Sequence, residues 1–309
     1  MSIVNVILPV ISLIALGWIA IRSGYLSEKV ESGLLEYVFS VAVPALILLT
    51  LARPFDLAEI SASYLLAYFI GVALAWSLGL AVSRRALGLP WRASVLCGFS
   101  ASQSNTVLLG VPLILQVWGD QAQVPMFLLL AVHLPIMMTA VTLLVEADGG
   151  QGQAGARLMS LGRAMLKNPI ILAMILGLGL RGIGIAPGGL ALSLLESVAK
   201  TTSTCALLAM GMSLARFRLL SNLTPGMLFS ALKLGLHPLA VWVIAVKILA
   251  LPGIVGGVAV LYAALPSGVN GYILAKKYQA GEAEISSTIV LSTLLSVVSI
   301  TLWLHLIAT

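Results

Sequence analysis

Ser102-Gln103-Ser104-Asn105-Thr106-Val107-Leu108-Leu109-Gly110-Val111-Pro112-Leu113 and Leu265-Pro266-Ser267-Gly268-Val269-Asn270-Gly271 are two places where a strongly apolar chain turns polar in the middle of an apolar stretch. Each combines proline, glycine and small polar residues near the centre of a segment long enough to cross a bilayer. Proline removes a backbone donor and crowds the carbonyl four residues earlier. With glycine alongside, both segments read as helices unwound at mid-membrane. Backbone groups freed at that depth are costly unless they face protein or a wet cavity. The expected fold is therefore a bundle of membrane helices with a polar site where two of them break.

The rest of the chain agrees. Of its 309 residues, 60% are hydrophobic and 9% charged, against roughly 45–50% and about 25% in soluble domains. That composition excludes a soluble globular fold and a disordered chain. The net charge of +6 comes from 17 scattered basic residues, which also excludes a nucleic-acid-binding patch. Cys97 and Cys205 sit in apolar runs with no metal-type spacing and read as reduced core residues. No metal or cofactor is expected. Ten stretches approach the roughly 20 residues a helix needs to cross a bilayer. They lie near 3–21, 33–52, 60–82, 93–118, 124–145, 168–183, 190–214, 225–249, 254–276 and 284–306. The first lacks a basic flank before it and a cleavage site, so it reads as a span rather than a signal peptide.

Basic residues set the orientation. With the N-terminus outside, the inward loops hold Arg22, Lys29, Arg84, Arg85, Arg92, Arg157, Arg163, Lys167, Arg216, Arg218, Lys276 and Lys277; the outward ones hold Arg53, Arg181 and Lys247. Twelve against three places both termini on the non-cytoplasmic side of a cell (inner) membrane. A glycine-rich cytoplasmic linker, 147–166, separates a first five-helix repeat (1–146) from a second (167–309). An odd number of spans per half forces the second half in upside down. Pro9, Gly17, Gly24, Glu36 and Val38 each have an identical residue 160 positions on, namely Pro169, Gly177, Gly184, Glu196 and Val198. Such inverted repeats characterise secondary transporters, whose site lies near the midplane.

The run NTVLLGVPL from Asn105, the run LPSGVN from Leu265 and the N-terminal pattern LPVISLIALGWIAIRSGYLS resemble the auxin efflux carrier family over essentially the whole chain. The resemblance implies an all-α membrane protein of ten transmembrane helices in two inverted five-helix repeats, with helices 4 and 9 broken and crossing, a fold shared with the bile-acid sodium symporters. It carries the family's crossover asparagine and proline onto Asn105 and Pro112. Asn270 stands where the plant exporters have proline, and their long cytoplasmic loop is absent. Both departures weaken the case for auxin itself as the physiological substrate.

Within the spans the polar groups divide into two sets. Around the breaks, Gln103, Asn105, Ser267 and Asn270, with backbone opened at Gly110, Pro112 and Gly268, are expected to bind substrate. Amides serve a carboxylate or a cation equally well. The absence of Asp and Glu from both breaks, with Lys200 nearby, favours a small organic anion over a sodium ion. The second set is ionisable. Lys200 lies near mid-span with Glu196 four residues before it, a helical ion-pair spacing. Lys233 and His237 are also four apart, and His133 stands alone. These are expected to carry a charge pair or a coupling proton, although Lys233 is close enough to a span's end to snorkel and lone histidines commonly serve structure. Small residues Ala67, Gly71, Ala75 and Gly79 form a packing stripe, facing either a helix of the same subunit or a homodimer partner. The expected function is a secondary transporter moving a small organic anion, a carboxylate of the dicarboxylate or auxin-like kind, across the lipid bilayer by alternating access; the alternatives are a passive channel or a non-transporting ligand sensor. An intramembrane enzyme is excluded by the lack of any span aspartate or HExxH-type motif.

Overall fold

A computed structural model describes residues 3–53, 62–147, 154–217 and 222–308. The described residues fold into helices: α1 (Ile3–Arg22), α2 (Glu28–Leu51), α3 (Ala62–Arg85), α4 (Trp91–Ser100), α5 (106–118), α6 (Gln123–Glu146), α7 (Ala154–Leu166), α8 (Pro169–Gly182), α9 (Gly189–Lys200), α10 (Thr202–Leu214), α11 (Leu223–Ile248), α12 (Gly253–Ala264), α13 (Asn270–Tyr278) and α14 (Glu282–Ala308). The chain is an all-α, multi-pass membrane protein. Its apolar side chains cover the outside as well as the core: Leu172, Ile175 and Leu176 of α8 are exposed, as suits a lipid-facing helix. Part of the linker expected at 147–166 is itself helical, as α7, and the chain bends by 60° where α7 meets α8.

Helical residues run on from Thr106 to Glu146, 41 in all. At 1.5 Å per residue that is about 60 Å, twice a bilayer core. The run is not one straight α-helix: Gly119, with a φ of +60°, ends α5, and a 3₁₀ stretch, Gly119–Ala122, leads into α6.

Three prolines inside helical runs leave them unbroken. Pro44, Pro112 and Pro238 each follow a wide, π-helical turn, at Val38–Ala42, Thr106–Gly110 and Leu232–Leu236. The wider turn makes room for the ring, so the helix continues. The acceptor that Pro238 leaves unpaired, the Leu234 carbonyl, is taken by Ser299 Oγ and Trp303 Nε1, both at 2.9 Å.

The true breaks lie at 101–105, between α4 and α5, and at 265–269, between α12 and α13. They meet as a single antiparallel bridge, Ser104 to Ser267. The Asn105 amide donates to the Pro266 carbonyl at 2.9 Å, and the Gly268 amide donates to the Gln103 carbonyl at 3.2 Å. The carbonyls at the end of α12 find side-chain donors instead of helical ones. Pro266 has no N–H to give Tyr262, whose carbonyl accepts from Ser104 Oγ at 2.7 Å. Ser267 N–H goes to Ser292 Oγ at 3.0 Å, and the Ala263 carbonyl takes Lys233 Nζ at 2.6 Å. Every one of these groups is buried, so each bond replaces water that the site excludes.

Contacts between the two halves of the chain are exchanged. A side chain at Gly17 of α1 would collide with the Leu208 carbonyl of α10, and one at Gly211 of α10 with the Ile14 carbonyl of α1. Gly177 of α8 packs closely on α2, where an added β-carbon would stand 3.0 Å from Leu51 Cβ. Arg53, just beyond α2, pairs with Glu196 of α9 at 2.8 Å; Arg216, just beyond α10, pairs with the buried Glu31 of α2, which also accepts from Ser213 Oγ at 2.8 Å. The stripe Ala67, Gly71, Ala75 and Gly79 is buried within the protein, with Gly71 against Val241 and His237 and Gly79 against Gly98.

Candidate functional site

A cavity of about 250 Å³ opens where the two breaks meet, just below the roughly 300–1,000 Å³ of most ligand sites. Gln103, Ser104, Asn105 and Thr106 line it from the first break, and Gly268, Val269 and Asn270 from the second. Phe39 of α2, Leu130, Ala131, Leu134 and Pro135 of α6, and Asn168, Ile170 and Ile171 at the head of α8 complete the wall. No charged residue is among them.

The polar groups are poised rather than spent. The Asn105 side-chain amide has only a 3.8 Å contact to Met210 Sδ, and Asn270 is half-buried without a side-chain hydrogen bond to another described residue. Gln103 gives its amide to the Ser104 carbonyl at 2.9 Å, which leaves a buried Oε1 without a donor. Its amide group rests on the bare α-carbon of Gly268, where a β-carbon would collide with it. Asn168 uses Oδ1 to cap α8 by accepting from Ile170 N at 2.9 Å, so its NH₂ is the end left for a ligand.

Three helices begin at this cavity: α5 at Thr106, α8 behind its cap Asn168 and α13 at Asn270. The first amides of a helix lack intrahelical acceptors and carry the positive end of its dipole. Helix ends of this kind, beside neutral side-chain amides, are a setting in which an anion can be held.

Among the residues expected at the substrate site, Gln103, Asn105, Gly268 and Asn270 line the cavity together. Ser267 lies directly behind them, buried and bonded to Ser100 Oγ at 2.7 Å and to the Ser100 carbonyl at 2.8 Å. Gly110 and Pro112 are helical, not unwound; Gly110 instead lets Leu265 of the other break approach closely. Lys200 ends α9 on the exposed surface, and Glu196 pairs with Arg53 rather than with it. Asn168 and Thr106 join the site without having been expected there. The pair Asn168-Pro169 does carry a signal, a cap residue before a proline at the first helical position, but nothing local shows that this helix end faces the breaks.

The second ionisable set is central. Lys233 does not snorkel: it is 0% exposed. Its ammonium donates to the Ala263 carbonyl at 2.6 Å and lies 3.2 Å from His237 Nδ1. His133, also 0% exposed, has Nδ1 3.1 Å from Tyr68 Oη. Two full charges 3.2 Å apart would repel by about 5 kcal/mol even at an effective dielectric of 20, so Lys233 and His237 hold at most one positive charge between them.

The profile of the membrane transport protein family matches residues 2–304. The chain belongs to that family, the auxin efflux carriers that its break motifs resemble. A Rhizobium meliloti protein named "Putative malonate transporter" is 27% identical over 99% of this chain and 96% of its own length. A Methanothermobacter thermautotrophicus protein named "Uncharacterized transporter" is 31% identical over 96% of each chain. The protein is thus a membrane transporter and not an enzyme.

Proposed function

We propose that the protein is a carrier that moves a small organic anion, a short mono- or dicarboxylate, by alternating access around the cavity between the breaks. The observation that carries this reading is the convergence of three helix N-termini and four uncharged amides, Gln103, Asn105, Asn168 and Asn270, on one small cavity. An anion gains from the helix ends and from the amide hydrogens of Asn105, Asn168 and Asn270, whereas a cation would find no carboxylate in the wall. The cavity's size favours a short acid over an indole acid. Malonate, in the name of the Rhizobium relative, supplies the first probe.

The reading extends to architecture: ten spans in two inverted halves, with α4–α5 and α12–α13 as the crossed fourth and ninth spans. The exchanged packing supports it. Gly17 and its counterpart Gly177, 160 positions on, each pack against the other half, on α10 and α2. Arg53 and Arg216 likewise each take a glutamate from the opposite half. The basic-loop asymmetry supports both termini outside the cytoplasm.

Counterflow tests the carrier reading. Liposomes loaded with unlabelled malonate should take up external labelled malonate several-fold faster than empty ones. Uptake that ignores internal malonate but follows a simple pore's kinetics would indicate a channel, and binding without flux a sensor.

A further inference from the structure

Directly behind the cavity lies a buried cluster of bases that substrate binding does not use. Lys233 and His237 come from α11, His133 from α6, Tyr64 and Tyr68 from α3 and Tyr262 from α12. All are fully buried. From α14, which packs against the same part of α11, come Ser299 and Trp303, neither of which titrates in the physiological range. No carboxylate pairs with any member among the described residues.

Tyr68 stands between the two imidazoles, with its ring centroid 5.5 Å from each. Its hydroxyl is bonded to His133 Nδ1, and Lys233 Nζ to His237 Nδ1. That leaves Nε2 of both histidines buried without a hydrogen-bond partner. Buried polar atoms are nearly always paired, and the exceptions call for a reason. Two unsatisfied imidazole nitrogens beside a lysine with no counter-ion form a group able to gain or lose a proton, since imidazole is the side chain that ordinarily titrates near neutrality.

The cluster is also placed to sense the substrate. His133 shares a helical turn with Ala131, Leu134 and Pro135 of the cavity wall. Lys233 and Ser104 donate to consecutive carbonyls, those of Ala263 and Tyr262, at the broken end of α12. Any rearrangement of the two breaks therefore changes the contacts of Lys233. An anion in the cavity favours a proton on the cluster, and by linkage the proton favours the anion equally.

We propose that Lys233, His237 and His133, with Tyr68 between the imidazoles, form the proton-binding site of a proton–anion symporter. This rests on the carrier reading above. On loading, a proton from water binds an imidazole nitrogen of the cluster as the anion enters the cavity. Both leave together on the other side, and the cluster returns to its starting protonation.

The test uses the purified protein in liposomes with an entrapped pH dye, labelled malonate as the probe, and the membrane potential held at zero. With the outside one pH unit more acidic, the wild type is expected to concentrate malonate several-fold while acidifying the lumen. His237→Gln, His133→Gln and Lys233→Met should still bind malonate by isothermal titration, more weakly as linkage requires, which shows them folded. Their accumulation ratio should fall to one. The proposal is overturned by a wild type that exchanges malonate but accumulates it without luminal acidification, whatever the variants do. It is overturned equally if all three variants accumulate malonate as the wild type does. A wild type that exchanges no malonate contradicts the malonate-carrier reading itself, and the symport proposal falls with it.

Discussion

The Asn105 amide donates to the Pro266 carbonyl at 2.9 Å, and this bond fixes one broken helix against the other at the edge of the cavity. The backbone of Asn105 thus serves structure, while its side chain, held only by the Met210 sulfur, is available to a ligand. The two roles separate experimentally.

Asn105→Ala leaves the backbone bond intact and removes the amide. A hydrogen bond to a charged group is worth about 1.5–3 kcal/mol, so malonate affinity is expected to fall roughly 10- to 150-fold. Elution from size-exclusion chromatography and thermal stability should be unchanged.

Gly268→Ala places a β-carbon against the Gln103 amide. That amide is the end of a flexible side chain and can move, so the protein should fold, with malonate affinity reduced about tenfold. In a Gln103→Ala background the same change should have little further effect, because the colliding group is gone. The non-additivity of the pair, read from a double-mutant cycle, checks the contact.

Gly211→Ala acts on packing instead. The new methyl meets the Ile14 carbonyl of α1, a backbone group that cannot step aside. Overpacking of this kind costs about 1–3 kcal/mol, and a lowered unfolding temperature in detergent measures it. Malonate affinity of the folded fraction should stay at the wild-type value.

Lys200→Ala is expected to change malonate exchange by less than twofold, because Lys200 is exposed at the end of α9 and lines no part of the cavity. Initial exchange rates at matched protein content decide this.

How much of this was legible in the sequence follows from the range of each interaction. The second break was readable from Leu265-Pro266-Ser267-Gly268, because proline and glycine act on the backbone where they stand. The first is readable at residues 102–105 but not in its extent: Pro112 reads as a breaker, yet the wide turn at Thr106–Gly110 absorbs it. Whether a helix meets a proline by unwinding or by widening depends on the packing around it. The two lysines show the same limit. Lys200 and Lys233 read alike as charges inside apolar runs, but their faces are set by tertiary packing. Lys233 is held inward by a carbonyl 30 residues away, freed because Ser267 bonds to Ser292. Asn168 went unseen for a related reason, since only the folded chain brings the head of α8 to the breaks.

The most direct test of the central claim, that the cavity between the breaks binds the transported anion, is the affinity of purified wild type, Asn105→Ala and Asn270→Ala for malonate and other short carboxylates, by isothermal titration. The account predicts saturable one-site binding to the wild type and at least tenfold weaker binding to each variant. Wild-type affinity in both variants would contradict it.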